Sequence, residues 1–144
     1  MKKLIVFEGL DGCGKSSVIE KISPMVANCG FNIYNSYEPG NFFGNIAKFG
    51  KYEDYKLSNE DTIYFWWSAR IYEQNKQEYK NADVIIKDRH YDTTFVYLNI
   101  EDTTKAVHNF DPDFFDKPLL TIFLDVTPEV AVERIKKSRD DVLK

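Results

Sequence analysis

The sequence has little of what disulfide frameworks and membrane anchors require. Among 144 residues there are two cysteines, Cys13 and Cys29, which have no metal-ligand spacing and are expected to be free thiols. No apolar run approaches the length of a membrane span, and the uncharged run after Lys3 is too short for a signal peptide. We therefore predict a cytoplasmic protein that does not act at a membrane.

The chain also lacks an excess of basic residues. Its 19 Lys and Arg against 23 Asp and Glu give a net charge of −4, which argues against nucleic acid as the main partner. A hydrophobic fraction of 43% and a charged fraction of 29% are ordinary for globular proteins, so intrinsic disorder is excluded. No internal repeat, linker or low-complexity tract divides the chain. The sequence predicts a single domain over residues 1–144.

What the sequence does contain is a complete phosphate-binding loop at residues 9–16, G-L-D-G-C-G-K-S. The segments before and after it predict a buried strand at residues 3–8 and a helix at residues 16–28. Glycines let successive N–H groups turn toward phosphate oxygens at the start of that helix. Lys15 is expected to reach the β- and γ-phosphates of a nucleotide, and the Ser16 hydroxyl to ligate Mg²⁺. The predicted phosphate contacts are Gly9, Leu10, Asp11, Gly12, Cys13, Gly14, Lys15, Ser16 and Ser17.

The remaining segments alternate between strand and helix. Further strands are predicted at residues 31–37, 83–88 and 119–125. A capping box at residues 58–61 opens a long helix that is expected to reach about Lys80, and other helices are predicted near Thr93 and from Thr127. This alternation predicts an α/β fold, a three-layer parallel sheet with helices on both faces. Ligands are then expected beyond the carboxyl ends of the strands.

Asp88 closes the third predicted strand at that end of the sheet, and Arg89 follows it. In phosphate-loop enzymes an acid in this place holds Mg²⁺, although Asp88 could instead cap a helix or pair with Lys15. Arg89 would direct a guanidinium group suited to a phosphate into the cleft, and the alternative is a surface salt bridge.

Taken in order, the motifs resemble those of the thymidylate kinases. They are F-E-G-L-D-G-C-G-K-S at 7–16, E-P-G at 38–40, Trp66 with Arg70, D-R-H at 88–90 with Tyr97, and L-D-V-T-P-E at 124–129 with Arg134. The resemblance implies a P-loop fold of the nucleoside monophosphate kinase type. It implies transfer of the γ-phosphoryl group of ATP to dTMP, with Mg²⁺, to give dTDP. It also implies a homodimer, and a domain that lacks the family's usual C-terminal strand and helix.

The same resemblance implies roles for individual residues. Trp66 takes the position that stacks on thymine, and Arg70 that of an arginine reaching a base carbonyl, although the aromatic run at 64–67 could instead form core or a dimer face. The implied dTMP contacts are Glu38, Pro39, Lys48, Trp66, Arg70, Arg89, Thr93, Thr94 and Tyr97. The implied metal ligands are Ser16, Asp88 and Asp11, and the implied catalytic residues are Lys15, Asp11, Arg89, Arg134 and Arg139.

Two parts of the pattern leave alternatives open. Arg134 and Arg139 take the place of lid arginines that stabilise transition-state charge, or they belong to a solvated basic helix end. Tyr37 stands where the family usually has an arginine, and Lys48 is a candidate substitute.

Two alternative functions remain open. One is a deoxynucleoside kinase, with Glu38 as general base, and the other is a catalytically silent nucleotide-binding module.

Overall fold

The computed structural model describes residues 2–38, 40–50, 56–98 and 115–142, with the backbone alone for residues 139–142. The described strands are β1 Lys3–Glu8, β2 Ile33–Tyr37, β3 Val84–Asp88 and β4 Leu120–Phe123. The helices are α1 Lys15–Asn28, α2 Phe42–Phe49, α3 Asn59–Gln74, α4 Gln77–Asn81, α5 Tyr91–Tyr97 and α6 Pro128–Val142.

The four strands form one parallel sheet in the order β2-β3-β1-β4. Phe7 of β1 and Tyr37 of β2 both lie opposite Asp88 of β3. The carboxyl ends of these three strands therefore meet at one edge of the sheet, as the alternation of strands and helices predicted.

Helices cover both faces of the sheet, which confirms the predicted layers. Successive side chains of a strand point to opposite faces, so β1 and β3 each contribute to two separate clusters. One cluster joins Leu4, Val6 and Ile85 to Tyr79 of α4. The other joins Phe7, Val84 and Ile86 to Ile19 of α1.

The long helix predicted from Ser58 is shorter than expected. The Ser58–Asp61 capping box forms as predicted. The helix ends at Gln74, however. The side-chain amide of Asn75 donates to the carbonyl oxygen of Ile71 at 2.9 Å, and Lys76 takes an extended conformation. This break lets α4 turn Tyr79, which is 1% exposed, into the core.

Other boundaries shift by about two residues, as is usual for helix and strand ends. β2 begins at Ile33 rather than residue 31, and α5 begins at Tyr91 rather than near Thr93. In the ranges that the structure describes, no helix is long and apolar enough to cross a membrane.

Candidate active site

The loop between β1 and α1 has the backbone conformation that its glycines predict. Gly14 caps α1 with φ of 102°, and Gly12 has φ of 82°. A Cβ atom on Gly12 would lie 2.5 Å from the carbonyl oxygen of Ala131, so the loop packs directly against α6. Only glycine fits at this position, because both the torsion and the close approach exclude a side chain.

The Lys15 side chain is buried inside this loop. Its Nζ atom donates to the carbonyl oxygens of Gly9 and Leu10, each at 3.0 Å, and lies 3.7 Å from Cys13 Sγ. The sulfur is the weakest of these acceptors. A phosphate bound in the loop could replace it with a stronger, charge-assisted partner.

Ser16 and Asp88 lie side by side where α1 begins and β3 ends. The Ser16 hydroxyl donates to Asp88 Oδ2 at 3.0 Å, while Asp88 Oδ1 is buried without a hydrogen-bond partner among the described residues. Asp88 neither pairs with Lys15 nor caps α5, whose N-cap is His90. Hydroxyl and carboxylate oxygens are the ligand types that Mg²⁺ prefers, so the pair fits that ion.

Arg134 reaches the loop from the middle of α6. Its Nη1 atom donates to the carbonyl oxygens of Cys13 at 3.1 Å and Gly12 at 3.5 Å. It therefore lies beside the loop and not at a solvated helix end. The side chain of Arg139 lies outside the described part of the structure.

A cavity of about 660 Å³ opens over the loop. We call it the loop cavity. It is lined by Asp11, Gly12, Gly14, Lys15, Ser16, Ser17, Glu38, Asp88, Arg89, Arg134, Ile135 and Ser138.

A second cavity of about 340 Å³, the acceptor-side cavity, lies beside it. It is lined by Asp11, Glu38, Ala47, Lys48, Thr62, Trp66, Arg89, Thr93, Thr94, Tyr97 and Leu98. Asp11, Glu38 and Arg89 line both cavities, so they mark the boundary between the two.

Arg89 is held at this boundary by several polar contacts. It forms an ion pair with Asp11, and it donates to Thr93 Oγ1 at 3.3 Å and to the Tyr97 hydroxyl at 3.4 Å. The Tyr97 hydroxyl in turn donates to Asp11 Oδ2 at 3.2 Å. Partial burial opposes the ionisation of Asp11, but the charge of Arg89 and the hydrogen bonds from Arg89 and Tyr97 together outweigh it and lower the pKa of Asp11 below its ordinary value.

Arg70 and Glu38 form a buried ion pair next to the acceptor-side cavity. Arg70 Nη2 lies 2.8 Å from Glu38 Oε1 and donates to Thr94 Oγ1 at 2.8 Å. The guanidinium also packs against the rings of Trp66 and Trp67. Arg70 does not itself line the described cavity, although its partners Glu38, Thr94 and Trp66 do.

The neighbouring tryptophans separate as the helical geometry of an aromatic run requires. Trp67 is 3% exposed and packs with Ile63, Leu98 and Phe115, whereas Trp66 lines the acceptor-side cavity. Lys48, the candidate substitute for the arginine replaced by Tyr37, lines the same cavity. Pro39 lies outside the described residues.

Glu8 is a site residue that the sequence analysis missed. It is 8% exposed, and its carboxylate accepts hydrogen bonds from the His90 amide and the Thr93 hydroxyl. Burial raises the pKa of Glu8 above its ordinary value, although these hydrogen bonds oppose the shift. The signal available in the sequence was an acidic residue ending an otherwise apolar strand.

The chain is similar to several known proteins. The family model described as "Thymidylate kinase" matches residues 7–143. A probable thymidylate kinase of Sulfolobus acidocaldarius is 33% identical over 144 residues, covering 95% of this chain and 71% of that protein. A thymidylate kinase of Alteromonas mediterranea is 31% identical, covering 93% of this chain and 65% of that protein.

The fold also matches a solved structure. The crystal structure of thymidylate kinase from Ehrlichia chaffeensis superposes with a TM-score of 0.68 and 20% identity, covering 98% of this chain and 80% of that one. At this identity the match supports the fold alone. The chain thus spans 71% of the Sulfolobus protein, 65% of the Alteromonas protein and 80% of the Ehrlichia protein.

Proposed function

Because the chain belongs to the thymidylate kinase family, we propose that it is an ATP-dependent nucleoside monophosphate kinase that converts dTMP to dTDP. The observation that carries this proposal is the contact between the two cavities. The cavity over the phosphate-binding loop and the cavity with an aromatic wall share Asp11, Glu38 and Arg89. This arrangement suits transfer of a phosphoryl group from a nucleotide in the loop cavity to a second nucleotide beside it.

In the proposed reaction, an oxygen of the dTMP phosphate attacks the γ-phosphorus of ATP. The bond from that phosphorus to the β,γ-bridging oxygen breaks, and ADP leaves with the bond's electrons. The acceptor phosphate is already ionised near neutral pH, so the protein needs to supply position and positive charge but no general base. Lys15 and the loop N–H groups hold the donor, and Arg89 holds the acceptor phosphate.

The base of dTMP would occupy the wall formed by Trp66. Its indole offers apolar area for stacking, and Thr94 and Arg70 lie close behind. Two guanidinium nitrogens of Arg70, Nε and Nη1, are buried without a hydrogen-bond partner among the described residues. A carbonyl group of the base that reached behind the cavity wall would find these donors unpaired.

Mg²⁺ is part of this proposal. Ser16 and Asp88 would hold it, since their oxygens are adjacent and Asp88 keeps one unpartnered carboxylate oxygen. When bound, the ion would supply positive charge that offsets the negative charge developing on the phosphates during transfer.

The deoxynucleoside kinase alternative requires a general base to take the proton of a sugar hydroxyl. Glu38 is the candidate, but its carboxylate is in a buried ion pair with Arg70 at 2.8 Å. The ion pair commits Glu38 to holding Arg70, which favours the monophosphate as acceptor.

A coupled assay tests the proposal directly. The purified chain is supplied with ATP and Mg²⁺ together with dTMP, dUMP, thymidine or no acceptor, and ADP release is followed. We expect turnover that depends on an acceptor and is fastest with dTMP. Faster turnover with thymidine would make the chain a nucleoside kinase, and no turnover with any acceptor would support a silent nucleotide-binding module.

A homodimer in the cytoplasm completes the proposal. Helices α2, α3 and α5 expose several large apolar side chains, namely Phe42, Tyr64, Tyr72 and Val96. We expect light scattering at micromolar concentration to give twice the mass of the 16.8 kDa chain. A monomer at that concentration would contradict the dimer and leave the proposed reaction untouched.

A further inference from the structure

The backbone of Arg89 has a conformation that costs free energy. Its φ of 75° lies in the left-handed region, which residues with a Cβ atom rarely adopt. Such a conformation persists only where neighbouring contacts determine it. The question is therefore which contacts hold this turn between β3 and α5.

The Glu8 side chain accepts hydrogen bonds from the segment that directly follows Arg89. Its Oε1 atom accepts from the His90 amide at 2.8 Å, and Oε2 accepts from the Thr93 hydroxyl. On the other side, the Arg89 amide donates to the carbonyl oxygen of Phe7 at 2.9 Å. The end of β1 thus binds the turn at Arg89 and at two points beyond it.

The Thr93 hydroxyl connects Glu8 to the Arg89 guanidinium group. The Thr93 hydroxyl has one proton, and it donates this proton in a hydrogen bond to the Glu8 carboxylate. The lone pairs of Thr93 Oγ1 are then left to accept from Arg89 Nη1 at 3.3 Å. Glu8 therefore fixes both the backbone after Arg89 and the direction of the hydroxyl that Arg89 contacts.

The other anchors of the guanidinium are more exposed to solvent. The Asp11 side chain, which pairs with Arg89, is 68% exposed, and Tyr97, whose hydroxyl Arg89 also contacts, is 60% exposed. Solvent competes with contacts of exposed groups. Glu8, in contrast, is 8% exposed, and its hydrogen bonds with the turn are buried or partly buried.

We propose that Glu8 is a positioning residue for the acceptor phosphate, acting through the turn that carries Arg89. This inference rests on the proposed function, in which Arg89 binds that phosphate. Glu8 does not line either described cavity, so it would contribute without touching the substrate.

The test measures the phosphate preference, defined as the dissociation constant of thymidine divided by that of dTMP. Calorimetry on the full chain gives both constants for the wild type, Glu8→Ala, Arg89→Ala and the double variant. We expect Arg89→Ala to lower the preference by about one to two orders of magnitude, since it removes a charge-assisted contact. Glu8→Ala should lower it about tenfold alone and less than about twofold when Arg89 is already absent.

Glu8→Gln covers the case in which the alanine variant fails to fold. It keeps the volume and one acceptor oxygen, so we expect a smaller loss of preference that again vanishes in the Arg89→Ala background. Glu73→Gln is the matched control. Glu73 is 7% exposed and accepts from Ser36 and Lys87, away from the turn. It should lower the melting temperature and leave the preference unchanged.

The outcomes separate the two proposals. An unchanged preference in both Glu8 variants, or a loss that adds fully to that of Arg89→Ala, overturns the role of Glu8 alone. An equal loss in Glu73→Gln also overturns it, because the effect would then follow from general destabilisation. If Arg89→Ala itself keeps the preference, the acceptor-phosphate assignment is wrong and the role of Glu8 falls with it.

Discussion

The two cavities are built by different parts of the polypeptide. Around the loop cavity, one continuous segment at residues 11–17 supplies much of the wall, and glycine torsions set its shape. The acceptor-side cavity is assembled from side chains of α2, α3 and α5, which are far apart in the chain. The first depends on local backbone geometry, whereas the second depends on the packing of helices and on buried polar contacts.

This difference predicts two kinds of mutational response. A change in the loop should remove chemistry while the fold survives, since Lys15 bonds only to the loop itself among the described residues. In the wall of the acceptor-side cavity, some substitutions should weaken binding and others should lower stability, because residues that face the ligand lie next to residues that pack in the core.

Lys15→Ala should give the largest effect. Removing the charge that faces the donor phosphates should lower the transfer rate by about three orders of magnitude. Circular dichroism and gel filtration should match the wild type, because the side chain supports no apolar core. Transfer at the wild-type rate would remove the loop from the mechanism.

The tryptophan pair tests the acceptor wall. Trp67→Ala should cost about 3 kcal/mol of unfolding free energy, because it empties a site between α3 and α5. Trp66→Ala should leave stability nearly unchanged and weaken dTMP binding about tenfold, with little change for ATP. Urea unfolding and dTMP titration measure the two effects. Equal loss of stability in both variants would make Trp66 a core residue.

The same contrast explains what could be predicted from the sequence. The loop at residues 9–16 was predicted from its motif, the strand and helix beside it from the adjoining segments, and the parallel sheet from the alternation of elements. The break at Asn75 was not visible, because it depends on a side-chain hydrogen bond and on where Tyr79 can be buried. Propensity alone favours a continuous helix there.

Long-range polar contacts account for the site residues that were missed or only partly understood. Nothing local in the sequence indicates that Glu8 accepts a hydrogen bond from Thr93, which is 85 positions away. Arg89 and Trp66, predicted from motif positions, and Lys48, the candidate substitute, line the same cavity. Their contact with dTMP stays a prediction. Motif position did not reveal that Arg89 has left-handed torsions, since a conformation imposed by tertiary contacts leaves no local signal.

Acid should lower the unfolding free energy of the chain through His90. Burial, together with the charges of Lys87 and Arg70, lowers the pKa of His90 to about 2. The unfolded chain protonates near pH 6.5, so it binds more protons than the folded chain below that pH, and stability falls as pH decreases. From pH 7 to pH 5 this amounts to about 2 kcal/mol.

His90→Gln isolates this contribution. The glutamine amide can still donate to the carbonyl oxygen of Asp116, which the His90 Nε2 atom contacts at 3.3 Å, but it cannot be protonated. Chemical unfolding of both proteins at pH 5, 6 and 7 should show a smaller loss of stability in the variant. Equal losses would mean that other groups, and not His90, dominate the response to acid.

Lys48→Met should give the smallest effect. Lys48 is exposed on the wall of the acceptor-side cavity, and exposed charges contribute little and are screened by salt. We expect dTMP affinity to fall about threefold at low ionic strength, with the difference vanishing in high salt. Lys21→Met, the same change on the exposed side of α1, serves as the control for net charge. A loss as large as that of Arg89→Ala would mean that Lys48, and not Arg89, is the main cation for the acceptor phosphate.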